Sequence, residues 1–309
     1  MRLRVASEAE KLDRDRACYE AWGPPLTPEA WVERERRLRA HRWPQQGMTT
    51  WLLADESGRV LSSCETFRVP SVHQGRPGGS YGVASVYTEP ALRGRGHATS
   101  MLSLLTLELQ SRELHPHAAF LFSDVGAAIY QRAGYQERPA FDWVVPAGPS
   151  PREAGVKWLG EGDLEAALAR LGPPADPFLI WPTGPQLDWH LERERLYAEA
   201  LQRPRPRHAG VRIGESTAIW AGVPRSNELA VLLIDAGGQQ DAERLLLAAA
   251  GAAHLAGLAK VRVWETPLLP SLAGVGVRAA REGSLPMLAP LDPSVSAAAW
   301  RTIPRALWL

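Results

Sequence analysis

A dense apolar stretch follows a glycine-bearing loop in the first half of the chain. Met101, Leu102, Leu104, Leu105, Leu107 and Leu109 stand with few polar interruptions, which predicts a largely buried helix. Before the loop, residues 82–88 are rich in β-branched and small side chains and run into Glu89-Pro90, the pattern of a strand halted by a turn. Upstream, residues 3–6 read as a short strand, and a charged helix starts near Ser7 with Glu8 and Glu10 in its first turn. Gly23-Pro24-Pro25 stops that helix, and Thr27-Pro28-Glu29 opens a second one reaching about His41. Residues 49–54 and 60–69, separated by Asp55-Glu56-Ser57-Gly58, predict a hairpin, and residues 70–79 a glycine-rich connection. After the buried helix come a strand over 120–124 and a short helix around Tyr130. Phe141, Trp143 and Val145 alternate at strand spacing, so residues 136–145 are expected to complete the sheet.

Prolines and glycine then interrupt the pattern over 146–151, marking a linker. Beyond it, Val156-Lys157-Trp158 is followed by an alanine- and leucine-rich helix over 163–171 and a helix start at Asp188, read as its cap. Strands over 211–219 and 229–234, a long apolar helix over 241–258 and a strand over 260–264 repeat the order of the first half. The expected organisation is α/β with mixed sheets: a first domain over 1–146, a linker over 147–154 and a second domain over 155–309.

Composition leaves this picture unchanged. The 309 residues suffice for two domains, and 45% hydrophobic with 22% charged residues is globular. A net charge of +1 offers no overall case for nucleic acid or an acidic membrane. Two cysteines, Cys18 and Cys64, are too few for a disulfide framework and fit a reducing compartment. The N-terminus lacks a signal-peptide core and no run approaches a membrane span, so a cytoplasmic location is expected.

The candidate chemistry centres on Arg93-Gly94-Arg95-Gly96-His97-Ala98. A strand, a loop of backbone amides and a buried helix make an anion site, since glycines admit close approach and the first helical turn has unpaired N–H groups. No Gly-Lys-Ser/Thr follows, which excludes the Walker pattern, and Thr99 stands where the dinucleotide fingerprint needs a third glycine. Gly78-Gly79-Ser80-Tyr81-Gly82 matches a nucleophile elbow in letters only, because a strand follows the serine instead of a helix. Glu65 is a carboxylate within an apolar, small-residue strand. Buried, it would have a raised pKa and suit proton abstraction, and on a wet edge it would be unremarkable. His115-Pro116-His117 lacks a nearby third ligand, so no metal is expected. In the second half, Asp235-Ala236-Gly237-Gly238 has an acid where the first loop has arginine, which predicts a single anion site per chain.

The Arg93–Ala98 loop, the strand over 120–124 and Tyr130-Gln131-Arg132-Ala133-Gly134-Tyr135 together resemble the GNAT superfamily of acyl-CoA-dependent N-acyltransferases. Ser63-Cys64-Glu65-Thr66, residues 82–90, Leu121-Phe122-Ser123-Asp124-Val125-Gly126 and Asp188-Trp189-His190 resemble the two-domain lysine N-acetyltransferases described in fungi. The resemblance implies a GNAT catalytic domain followed by a degenerate GNAT-like domain, with acetyl-CoA as co-substrate and a small-molecule amine as acceptor. It places Val86, Tyr87 and Thr88 beside the pantetheine arm and the backbone of Gly94, Arg95, Gly96, His97, Ala98 and Thr99 on the pyrophosphate, with Arg93 or Arg95 adding charge. Ser123 stands where many relatives have a cofactor-contacting asparagine, with Asp124 as helix cap. Tyr130 is the implied acid for the departing thiolate and Glu65 the base, with the terminal carboxylate of Leu309 as an alternative. Glu65, Asp188 and His190 would meet a cationic amino acid. The arginines at 34, 36, 37, 39 and 42 form a solvated helix face or a surface for a 3′-phosphate or an acidic partner. Acetylation of a protein, peptide or aminoglycoside, or acyl-CoA binding without catalysis, would use the same first domain.

Overall fold

The computed structural model describes residues 1–150 and 155–309, so part of the expected linker, residues 151–154, lies outside the described residues. Strand β1 (Arg2–Val5) leads into α1 (Glu8–Trp22) through a capping box: the Ser7 hydroxyl accepts from the Glu10 N–H, and the Glu10 carboxylate accepts from the Ser7 N–H at 2.9 Å. The Thr27 hydroxyl caps α2 (Pro28–Ala40), and α3 (Arg42–Gly47) delivers the chain to β2 (Met48–Ala54). The hairpin of β3 (Val60–His73) and β4 (Arg76–Tyr87) is longer than its letters suggest. The glycine-rich connection expected over 70–79 is almost all strand, reversed at Gln74 and Gly75, both at positive φ. Gly78 and Gly79 belong to that strand because side chains there would collide with His117 and Glu113. Next come α4 (His97–Ser111), β5 (Pro116–Ser123), α5 (Ala128–Gln131), β6 (Gln136–Glu137) and β7 (Phe141–Pro146).

The second half runs β8 (Val156–Leu159), α6 (Leu164–Leu171), β9 (Phe178–Ile180) and α7 (Gly184–Leu201). Then follow β10 (Gly210–Ile213), β11 (Ser216–Val223), β12 (Glu228–Asp235), α8 (Gln239–Leu255), β13 (Lys260–Trp264), β14 (Val277–Ala280) and β15 (Leu285–Pro290). The single strand expected over 211–219 is a hairpin that turns at Gly214, where φ is 59°. Helix α7 starts four residues before Asp188, after Thr183 and with a proline in its first turn, so Asp188 does not cap it.

Both sheets contain the same unit. In the first, parallel β4 and β5 are joined through α4, whose Met101, Leu102, Leu105 and Leu109 are buried on the sheet. In the second, parallel β12 and β13 are joined through α8, which packs Leu245, Leu246 and a run of alanines on the sheet. The expected second sheet is present, with an acid in the first turn of its helix: the Asp241 carboxylate accepts from the Ser216 hydroxyl at 2.9 Å.

The halves exchange strands. The first sheet has the order β1-β2-β3-β4-β5-β15-β6, with β9 added to the far end of β3; the second has β14-β7-β13-β12-β11-β10-β8. Residues 141–146 therefore do not complete the first sheet, as their alternation suggested; β7 pairs with β13 from Pro146↔Lys260 to Asp142↔Trp264. The place beside β5 is taken by β15, in register from Leu285↔Ser123 to Pro290↔Ala118. Alternation fixes which residues face a core but not which sheet receives them. The buried Asp142 carboxylate on β7 locks the exchange by accepting from Arg262 at 2.8 Å and Arg281 at 2.7 Å. Trp43, Phe67, Trp189, Phe120 and Trp300 form a further core between the halves.

A chain ending at Pro146 would thus lack β15, leaving the β5 edge unpaired and the contacts of buried Met287, Leu288 and Ala289 unmade. Side chains of that kind are each worth about 1–3 kcal/mol on burial, and the open edge invites aggregation. The expected result is an insoluble fragment, rescued by co-expression with the second half. A soluble fragment with one cooperative thermal transition would contradict this. Among the described residues, no helix is long and apolar enough to cross a membrane.

Candidate functional site

Strands β4 and β5 stay paired only to the rung Gly82↔Phe120, then diverge, β4 running to Tyr87 and β5 to Ser123. The wedge opens into a cavity of about 230 Å³, bounded by Val83, Ala84, Ser85 and Val86 on one strand and by Leu121 and Phe122 on the other. Further walls come from α1 (Arg14), α2 (Arg34, Glu35), β3 (Glu65), α7 (Trp189, Arg193), the segment from Asp124 to Tyr130 and the end of the chain (Trp308, Leu309). At the apex Leu309 enters because residue 82 is glycine: a Cβ there would meet Leu309 Cδ1 and come within 3.0 Å of Phe120 Cζ.

A bulge shapes the β4 wall. The β3/β4 register shifts between Ser63 and Glu65, and Ser85 has φ 52°, strained for a residue with a side chain. Buried Arg14 holds this geometry. Its Nη2 donates to the Ser85 carbonyl at 2.7 Å, its Nε to Ser63 Oγ at 3.0 Å and its Nη1 to Glu65 Oε1 at 3.1 Å. Downstream of the bulge Val86 faces the cavity, whereas Tyr87 packs edge-on against Trp22 and the Thr88 hydroxyl meets that of Ser62 at 2.9 Å.

The loop after β4 has the form of an anion cradle. Gly94 and Gly96 have φ 76° and 79°, and a Cβ on either would meet nothing within 4 Å. Helix α4 starts with no acid in its first turn and makes its first i→i+4 bond from Ser100 N to Gly96 O. The amides of His97, Ala98 and Thr99 therefore have no acceptor within the helix. His97 Nδ1 is buried and, among the described residues, has no hydrogen-bond partner, which puts an unsatisfied polar atom at the cradle. Arg93 donates from Nε to the Thr88 carbonyl at 3.0 Å, which braces the loop, and Arg95 is exposed beside it.

Tyr130 and Glu65 both line the cavity. Burial, followed by the nearby Asp124 carboxylate, pushes the Tyr130 hydroxyl up to about 12. Glu65 is buried, which excludes the wet-edge alternative, and it is ion-paired with Arg14. Ser123 does not line this cavity but lies within hydrogen-bonding reach of Tyr130; its hydroxyl donates to Gly126 O at 2.6 Å and accepts from Val125 N–H, shaping the turn before α5. Asp124 does not cap α5, which begins after Ala127; it accepts from Ser284 N at 2.7 Å, at the entrance to β15. Burial pushes Cys18 and Cys64 each up to about 12, so neither is a ready thiolate nucleophile.

The second-half acceptor candidates lie outside the cavity wall. Asp188 meets His41 at 3.3 Å and Arg42 at 3.2 Å, tying α7 to α3. Buried His190 bonds through Nε2 to the Ala306 carbonyl at 2.9 Å, and burial pushes it down to about 3, so it is a neutral anchor for the tail. The arginine face of α2 divides: Arg36 is solvated and pairs with Glu33, whereas Arg34 turns inward against Trp31 and Tyr197, and Arg39 holds buried Asp15 at 2.8 Å. Arg14, Arg193 and Trp308 are cavity residues that motif spacing does not single out; Trp189 and Arg34, named above within a motif and a basic face, join them. A buried arginine on a helix has the same spacing as a solvated one. His117 of the His-Pro-His pair bonds Ser71 Oγ at 2.8 Å, and among the described residues no group of three or more His, Cys, Asp or Glu side chains is arranged to hold a metal.

Residues 161–300 match the family model described as the LYC1 GNAT-like C-terminal domain. No curated protein matches the chain in sequence. Among solved structures, the chain is similar to a GCN5-related N-acetyltransferase from Kribbella flavida, with a TM-score of 0.61 at 17% identity over 97% of this chain and 73% of that one. A probable N-acyltransferase from Enterococcus faecalis V583 gives 0.63 at 13% identity over 94% and 72%. Eis1 from Mycobacterium abscessus gives 0.56 at 14% identity over 94% and 74%. At these identities the likeness is one of fold: two GNAT-like units, the second of the LYC1 C-terminal type.

Proposed function

We propose, from this two-unit GNAT-like fold, that the protein is an acetyl-CoA-dependent N-acetyltransferase acting on a primary amine, most specifically the side-chain amine of free lysine or a related small amine. The observation that carries the reading is the wedge between β4 and β5, which sets the Tyr130 hydroxyl and the Glu65 carboxylate on one cavity beside the anion cradle at Gly94 and Gly96. The cradle fits a pyrophosphate through its free helical amides and the unpartnered His97 Nδ1. The β5-facing edge of β4 beyond Gly82, left without a strand partner, fits a pantetheine arm. Val86, Tyr87 and Thr88, with the loop from Arg93 to Thr99, are the proposed binding residues, and Ser123 contributes by shaping the adjoining turn.

Acetyl-CoA supplies an activated acyl thioester. A lysine-type amine, with a pKa of about 10.4, must first lose its proton, and Glu65 takes it directly or through a water. In the transfer the C–N bond forms and the C–S bond breaks, and the second proton shed by the acylated nitrogen restores the one that Tyr130 gives up. Tyr130 gives its hydroxyl proton to the departing sulfur. Arg14, which holds both the Ser85 carbonyl and Glu65, keeps the bulged strand and the base in one register. Trp189 and Trp308 roof the cavity from the second half, an arrangement suited to a small acceptor rather than an extended peptide. The test is acetyl-CoA consumption against free amino acids, polyamines, peptides and aminoglycosides. Turnover on small amines is expected; binding of acetyl-CoA without turnover on any amine would leave an acyl-CoA-binding module.

A further inference from the structure

Most charged groups of the cavity wall already have partners, Asp124 accepting from the Ser284 N–H and Arg225 donating to the Trp22 carbonyl. Arg14 is matched by Glu65, Arg34 by the adjacent Glu35, and Arg39 by Asp15. Arg193, projecting from α7, has no carboxylate partner among the described residues, and its Nη1 is buried without a hydrogen bond. Its guanidinium lies over the Trp308 ring at 4.1 Å and over Trp189 at 5.8 Å. Two indoles from opposite ends of the second half thus fix the plane of the fork and leave its hydrogen-bonding edge unused. Burial, and then the charge of Arg34, push the group down to about 9, so it remains a cation at neutral pH; Glu35 acts on it in the opposite sense without forming an ion pair.

Arg193 is half-buried in the cavity wall, and a planar guanidinium there is best satisfied by two parallel N–H···O bonds to a carboxylate. The cofactor's phosphates are not the missing partner, since none of the cradle residues 93–99 lines this cavity. We infer that Arg193 is the anchor for a carboxylate on the acceptor, so that the amine acetylated here is an amino acid or another amine bearing a carboxylate. This rests on the N-acetyltransferase reading. It separates acceptors that the base and acid cannot distinguish, because Glu65 and Tyr130 act on the amine and the sulfur alone. A diamine or an aminoglycoside offers nothing to Arg193 and brings a further cation towards it.

Matched pairs test the assignment: lysine against 1,5-diaminopentane, ornithine against 1,4-diaminobutane, phenylalanine against 2-phenylethylamine. For the pair that is turned over fastest, the native protein is expected to favour the carboxylated member in kcat/KM by roughly 100-fold, the scale of a buried charge pair losing one partner. Arg193→Gln should bring that ratio close to one, mainly through KM for the carboxylated amine, while Arg193→Lys retains part of the preference. An unchanged ratio in Arg193→Gln, or a native preference for the decarboxylated member, would overturn the carboxylate anchor and leave the acetyltransferase reading standing. Absence of turnover on either member of every pair, with acetyl-CoA bound, would overturn both. Should Arg193→Gln fail to fold, the native ratio and the Arg193→Lys ratio decide between these outcomes.

Discussion

Gly96→Asp is expected to abolish acetyl-CoA binding while leaving the fold in place. Residue 96 sits at φ 79° immediately before α4, and a Cβ there meets nothing within 4 Å, so the substitution clashes with no other group. The conformational cost of a non-glycine residue in this region is about 1–2 kcal/mol, small beside the stability of a core built on α4. The effect on binding is larger, because a carboxylate at the mouth of three free amides repels a pyrophosphate and competes for its donors. The dissociation constant should rise at least about 100-fold, equivalent to losing two charge-assisted hydrogen bonds. Calorimetric titration checks this against Gly96→Asn, which tolerates the backbone geometry without the charge and should lose much less. Unchanged affinity in the aspartate variant would remove the cradle as the cofactor site.

Tyr130→Phe is expected to separate chemistry from binding. The ring is buried and packs at 71° against Tyr135, contacts that phenylalanine keeps, so stability and acetyl-CoA affinity should hardly change. Removing the hydroxyl deletes the proposed proton donor for the thiolate, and general acids of this kind are worth about 10²- to 10⁴-fold in rate. Because burial pushes Tyr130 up to about 12, it stays protonated throughout the usual assay range. It should give no loss of activity on the alkaline side below about pH 11; a fall at lower pH belongs to another group. Single-turnover rates for native and variant protein, followed across pH 6–10, are the measurement. Equal rates would exclude Tyr130 as the acid.

The parts of the molecule legible in the sequence are those whose physics is local. Gly94 and Gly96 declare a loop with positive φ, the apolar run from Met101 to Leu109 declares a buried helix, and the paired αβ units follow from repeated pattern. Ser7 and Thr27 cap their helices as their letters suggest. What stayed hidden depends on distant partners. Phe141, Trp143 and Val145 alternate identically whether they join the first sheet or the second, and nothing near Leu285 says that it will lie beside Ser123. Arg14, Arg34 and Arg193 differ from solvated arginines only in what packs over them. Asp188 and His190 stood next to the tryptophan that does reach the cavity, and one helical turn distributes three consecutive residues to three directions.

The traded strands also bear on how an acceptor gets in. Two lobes joined by a bare linker could swing apart on a hinge, but here any such swing must unzip the ladder of β15 on β5 or of β7 on β13. What covers the cavity outside those ladders is smaller: the tail carrying Trp308 and Leu309, and residues of α1 and α2.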